Sequence, residues 1–331
     1  MKQKTLASIS PRNWEHPSDK LALTALRKIK GLDDLVRKFI GLTTEKSLRL
    51  LHLACSVKTT DTQFHRVHSA MAKACEILDS PRVPEVYVTQ SPFFNASVLG
   101  ADDPFVIIQS GILAGLSEDE LMCLVGHELG HVLSGHALYK TLLFLLLNMS
   151  FRFLPNPVSG MIIMPIILAL KEWDRKSELS ADRAGLLVSQ DEIAGSQLLM
   201  KMSGGSFINE MSINDCFQQA AAYEKDTGAL ESLYKLLNVL NASHPFSVIR
   251  LKELSTWASS GQYQRILNGE YVRRGQEKES VRETWTEAKA EYSDVFQQGK
   301  SAVSETLGTL KNGAEKIVEG LGKIFDDIFK P

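Results

Sequence analysis

Apolar positions along this chain recur mostly at three- and four-residue intervals, the period of a helix that buries one face. Ser18 stands before the first such stretch, Asp19 to Lys30, which Gly31 ends. Further helices are expected at 44–58 and 61–79, with Pro81 as the stop. Between Pro84 and Ser110 the period changes to two. β-rich runs stand at Val86–Thr89, Asn95–Leu99 and Phe105–Gln109, separated by Ser91-Pro92 and by Gly100 to Pro104. They predict a small antiparallel sheet. From Ser117 the helical period returns and persists almost to the end. The expected fold class is α+β, predominantly helical. It divides into an N-terminal helical layer (1–80), a central unit (81–260) with an apolar insertion at 141–170, and an amphipathic helical tail (261–331).

Composition narrows the classes. Of 331 residues, 44% are hydrophobic, enough for a sizeable core, which excludes disorder throughout. Lys+Arg number 37 against 39 Asp+Glu, so there is no overall attraction to phosphate and nucleic acid is not an expected partner. Residues 1–40 carry nine Lys/Arg against four Asp/Glu, a modest basic bias. The four cysteines are scattered without a C-x-x-C pair, which reads as thiols in a reducing compartment. Lys2 and Lys4 are not followed by the apolar run of a secretory signal, so a cytoplasmic location is expected. A spanning helix needs about 20 apolar residues. The apolar stretches 141–151 and 153–170 are interrupted by Arg152, Pro155, Pro157, Gly160 and Pro165, which favours a buried helix pair or a shallow membrane-facing flap. Peripheral contact at the inner face of a membrane, through 141–170 or 275–331, is the accompanying expectation.

The chemistry concentrates in Val125-Gly-His127-Glu128-Leu-Gly-His131-Val. Ser117-Glu-Asp-Glu120 is a capping box that starts a helix through it. Histidines at i and i+4 lie about 40° apart around the axis, so both imidazoles reach one metal ion, for which zinc is the natural guest. Glu128 projects beside that ion, placed to take a proton from the attacking water. A helix that carries these residues without any metal is the plain alternative, and His52, His65 and His68 read that way. Catalytic zinc takes three protein ligands. His136 is five residues beyond His131, about 140° further round a continuing helix, and so is expected to point away and to bond at the helix end. A metzincin would need Gly at 134 and His at 137, where this chain has Ser134 and Ala137. Glu178 and Asp182 share one helix face, so the first can bind zinc while the second accepts the N–H of a ligating histidine. Against this stands a solvated helix with Arg175, Lys176 and Arg183 pairing these acids.

His127-Glu-x-x-His131, the Glu178-x-x-Ala-Asp182 box and a late His244-Pro245 followed by Arg250 together resemble the zinc metallopeptidases of the HtpX and CAAX prenyl endopeptidase type, gluzincins with a zincin-like core. The resemblance spans 84–255. Membrane members have long spanning helices where this chain has its proline-broken insertion. The resemblance implies one Zn2+ per chain on His127, His131 and Glu178. It makes Glu128 the base and then the proton donor to the leaving amine, and Asp182 the residue that orients a ligand. His244 is the candidate second donor to the oxyanion, or an inhibitory ligand in the open zinc position. Arg250 either holds its helix or binds a substrate carboxylate.

The strand from Asn95 and Ala96 to Leu99, at a sheet edge, would take an extended polypeptide as an added strand. The expected function is a zinc endopeptidase of unfolded or flexible proteins, in protein quality control. The alternatives are a non-catalytic zinc-stabilised chaperone or scaffold, and a membrane-associated prenyl-protein processor.

Overall fold

The computed structural model describes residues 3–27, 45–153, 157–225 and 246–276. An N-terminal segment carrying buried Leu6, Ile9 and Trp14 leads into α1 (Pro17–Arg27). Then come α2 (Glu45–Cys55), β1 (Val57–Lys58), α3 (His65–Ile77), β2 (Val86–Thr89), β3 (Ala96–Leu99) and β4 (Phe105–Gln109). A single turn, α4 (Ser110–Leu113), precedes α5 (Glu118–Leu133), α6 (Ala137–Phe153) and α7 (Pro157–Ser189). The chain continues through α8 (Glu192–Gly204), α9 (Ile213–Lys225), α10 (Ser247–Ser259) and α11 (Gln262–Leu267). The fold is α+β and predominantly helical.

The sheet is mixed rather than antiparallel. Its order is β1-β2-β4-β3, with β2 and β4 parallel (Val86 opposite Val106) and β3 antiparallel to β4 (Ala96 opposite Ile108). Phe105 to Ile108 form an unbroken apolar run, all buried, as suits a central strand covered on both faces. β3 is left at one edge of the sheet. β1 arises inside the stretch 44–58 that reads as one helix. The helix stops at Cys55, and Val57 and Lys58 pair with Val88 and Tyr87.

Helix α5 begins at the expected capping box, with Ser117 Oγ accepting from the Glu120 N–H and the Glu120 carboxylate accepting from the Ser117 N–H. Lys201 of α8 adds a buried ion pair to Glu120 at 2.7 Å. Against α5 lies the 33-residue α7. Their contact is close because glycines line it. A Cβ on Gly130 would stand 2.5 Å from Ala184 Cβ, and one on Gly126 would stand 2.5 Å from Val188 Cβ. This approach lets side chains of α5 reach Glu178 and Asp182.

α7 runs without interruption through Pro165, where the sequence suggests a break. A proline removes one backbone hydrogen bond, but the long helix survives it, and from Ile167 onward α7 is pinned on α6 and α1 by Ile167, Leu170 and Trp173. Among the described residues no helix is long and apolar enough to cross a membrane. Of the amphipathic tail expected at 261–331, residues 261–276 are described and carry α11, and the rest lies outside the described residues.

Candidate metal centre

His127, Glu128 and His131 project from α5 and Glu178 from α7, all buried. Donor atoms of His127, His131 and Glu178 lie within 4.8 Å of one another. His131 Nε2 is 3.2 Å from Glu178 Oε1, and His127 Nε2 is 3.6 Å from Glu178 Oε2. The two rings meet edge to face at 4.8 Å. Among the described residues His131 Nε2 is buried without a hydrogen-bond partner, a costly arrangement unless a cation takes its lone pair. Two imidazole nitrogens and one carboxylate oxygen, converging in a buried pocket, fit a zinc-type ion. Glu128 Oε1 stands 4.0 Å from His127 Nε2, beside these donors.

Neighbouring side chains hold the donors in place. His127 Nδ1 lies 3.0 Å from Asp182 Oδ1. Arg250 of α10 donates to Asp182 through Nε (2.8 Å) and Nη2 (2.6 Å), and its Nη1 is 3.0 Å from Glu178 Oε2. That guanidinium is buried and engaged by both carboxylates, which fastens α10 to α7. The solvated-helix alternative does not describe this face: Arg175 and Lys176 pair with Glu172. Burial opposes the charged form of Asp182, but Arg250 and His127 outweigh it and hold the carboxyl below its ordinary range. Burial likewise opposes a charged His127, yet Asp182 and Glu178 raise its pKa to about 9. His131 goes the other way: burial and the nearby Lys140 hold it well below its ordinary value, in the neutral form that binds metal.

Three further residues complete the surroundings. Lys140 of α6 donates to Glu178 Oε1 (2.8 Å) and to Asp174 (2.6 Å). His136 does not point away from the donors. α5 ends at Leu133, Gly135 turns the chain with φ 73°, and His136 swings back so that its Nδ1 lies 2.9 Å from His131 Nδ1. The extrapolation by about 140° assumes a continuing helix, and the Ser134-Gly135 stop is the clue against it. Asp19 of α1 lies 3.1 Å from His136 Nε2, with no local signal for that place in the sequence. Among the remaining candidates, Asn95 precedes β3 and its carbonyl accepts from the Gln109 N–H (3.0 Å), while Ala96 is buried in that strand. His244 and Pro245 lie outside the described residues.

Residues 58–258 match the profile of peptidase family M48. The chain belongs to peptidase family M48. Its M48 relatives include the plastoglobule-localized metallopeptidase 48, chloroplastic, of Arabidopsis thaliana, 31% identical over 261 residues, which are 77% of this chain and 75% of that protein. Protease HtpX of Shewanella pealeana is 31% identical over 128 residues, 38% of this chain and 44% of that protein. No solved structure matches. The chain is accordingly an M48 metallopeptidase, a metal-dependent protease, and the matched span contains α5, α7 and nearly all of α10. α1, with Asp19, precedes that span.

Proposed function

We propose that this M48 metallopeptidase is a zinc endopeptidase of unfolded or flexible polypeptides, with His127, His131 and Glu178 holding one ion and Glu128 acting as general base. The observation that carries the proposal is the convergence of two imidazole nitrogens and a carboxylate oxygen within 4.8 Å, beside a buried glutamate one residue after the first histidine. Bound zinc would polarise the scissile carbonyl and bring the pKa of water toward about 7. Glu128 takes the proton of the attacking water and passes it to the leaving amine. Asp182 accepts the His127 Nδ1–H, which fixes the tautomer with Nε2 toward the other donors. Arg250 and Lys140 offset the charges that Asp182 and Glu178 bring into the buried site. His244 keeps its proposed place at the oxyanion, on the sequence pattern alone.

The substrate is proposed to add as a strand along β3, whose place at the end of the sheet order leaves an edge for it. A role in protein quality control follows from that preference for extended chain. The cytoplasm is the proposed compartment; the Arabidopsis relative, named as chloroplastic, marks a second compartment that fractionation would separate. A non-catalytic zinc scaffold has no use for Glu128 and would close its ion with four ligands. Casein hydrolysis by the purified chain tests the reading: chelator should abolish it and added zinc restore it. Hydrolysis indifferent to chelator would overturn the metal-dependent mechanism. His127→Ala, His131→Ala and Glu178→Ala should each lower bound zinc, and full zinc content in any of them would remove that residue from the ligand set.

A further inference from the structure

We infer that Asp19, on the N-terminal helix, is a positioning residue for His131, acting through His136. The inference rests on the reading of His131 as a zinc ligand. All three side chains are buried. His131 Nε2 faces Glu178, so an imidazole that offers this atom to a cation carries its proton on Nδ1. That Nδ1 is 2.9 Å from His136 Nδ1, which therefore accepts. The His136 proton is then on Nε2, 3.1 Å from Asp19 Oδ2.

The other polar neighbours of Asp19 donate in the same direction. The Ser180 hydroxyl gives its proton to Oδ2 at 2.5 Å, and Trp173 Nε1–H gives to Oδ1 at 3.1 Å. Ser180 is itself oriented, because its Oγ accepts the His16 N–H at 2.8 Å and keeps its own proton for Asp19. The carboxylate thus accepts two hydrogen bonds, from Ser180 and Trp173, and stands 3.1 Å from a His136 Nε2 that is buried with no other partner among the described residues and needs only a small reorientation to donate to it. Each imidazole of the proposed metal site ends on a buried carboxylate: His127 directly on Asp182, His131 through a second ring on Asp19. The second carboxylate comes from a helix that precedes the span matched to the family.

The uniform direction of these bonds makes Asp19→Asn a sharp perturbation. An asparagine has only one acceptor oxygen, so its amide N–H2 must face at least one donor. Turned toward His136, it would push the His136 proton onto Nδ1 and the His131 proton onto Nε2, the atom that must bind the ion. An aspartate-to-asparagine change that inverts a histidine tautomer is the known way to disable a catalytic imidazole while its geometry survives.

The test is zinc affinity of the full chain by chelator competition, for wild type, Asp19→Asn, His136→Gln and the double variant, with the unfolding temperature of each metal-free protein as the control for folding. Each single variant should weaken zinc by about 10- to 100-fold. The double variant should match the weaker single within about twofold, since Asp19 acts only through His136. An asparagine that keeps its oxygen toward His136 and Ser180 opposes only Trp173, so Asp19→Ala, which offers His136 no acceptor in any orientation, is measured beside it; unchanged affinity in both, or effects that multiply in the double variant, would overturn the inference. His131→Ala separates the two claims: if it leaves zinc affinity intact, the ligand reading fails; if it abolishes binding while neither Asp19 variant has an effect, only the relay fails. Should Asp19→Asn not fold, nitrogen-15 NMR of the zinc-loaded wild-type histidines decides. The relay requires His131 protonated on Nδ1 and His136 on Nε2, and a His136 proton on Nδ1 would contradict it.

Discussion

Removing the guanidinium of Arg250 should be the most damaging single change that touches none of the proposed zinc ligands' own atoms. Its side chain is 2% exposed and reaches Asp182 at 2.6 and 2.8 Å and Glu178 at 3.0 Å. Arg250→Met keeps the apolar stem but leaves two buried carboxylates short of a partner, and breaking a buried ion pair from one side costs about 3–5 kcal/mol. Asp182 retains His127 and Glu178 retains Lys140, which places the loss near the lower end, about 3 kcal/mol. For a chain of 331 residues that is a fall of about 4 °C in Tm at pH 7. Arg250→Lys keeps the charge without the two-pronged geometry and should lose about half as much. The pH dependence carries a sign. With arginine present, Asp182 is depressed below its ordinary pKa, so its contribution exists above the unfolded value of about 3.9 and is lost only as pH falls through the lower folded value. Without arginine, burial dominates and the carboxyl rises, so the variant's deficit should shrink as pH is lowered from 7 to 4.5. Thermal unfolding of both proteins in chelator, across that range, measures the difference free of metal linkage. A deficit under about 1 kcal/mol at pH 7, the scale of an exposed pair, would refute the reasoning, as would one independent of pH.

Gly130→Ala should separate α5 from α7, because its Cβ would meet Ala184 Cβ at 2.5 Å; a loss of about 1–3 kcal/mol by urea unfolding is expected, and a neutral or stabilising result would deny the close contact. Thiol reagent at pH 8 should modify exposed Cys55 quickly, while Cys75 and Cys123, pushed by burial up to about 11 and about 12, react only on unfolding; rapid labelling of Cys123 in folded protein would show the α5 face open. Burial works against a charged Glu85, but Lys58, Tyr87 and Arg49 hold its pKa down, so Glu85→Gln should cost under about 1 kcal/mol above pH 5 and progressively less as pH falls below 4. A deficit growing toward acid would reverse that sign.

Much of the fold is legible from local pattern. Ser117 and Glu120 announce the start of α5 because their mutual cap involves only neighbouring residues. The runs at 86–89, 96–99 and 105–109 are strands because alternation or continuous β-branched character marks them. Strand order is another matter. Nothing in the alternation of Val86 to Thr89 says that it lies parallel to Phe105 to Gln109 with β3 beyond, since pairing is decided by packing on both faces of β4. β1, two residues long, is too short to show any period. At the site, His127, Glu128 and His131 are visible because one helix carries them, and Glu178 and Asp182 because another does. Lys140, Asp19 and the true direction of His136 come from tertiary contacts. Asp19 reads locally as an ordinary acid in the first turn of a helix, where the macrodipole alone would explain it. Continuing α5 through Ser134 and Gly135, where the helix has already ended, misplaces His136.

The measurement closest to the central claim is peptide hydrolysis by Glu128→Gln at equal zinc content. Glu128 is buried next to the proposed ligands without being one of them, so the amide should leave the ion and the fold in place. One zinc per chain should be retained, with the wild-type unfolding temperature, while hydrolysis falls by at least about 100-fold, the scale of general-base catalysis. A zinc-loaded Glu128→Gln that turns over substrate at the wild-type rate would contradict the account.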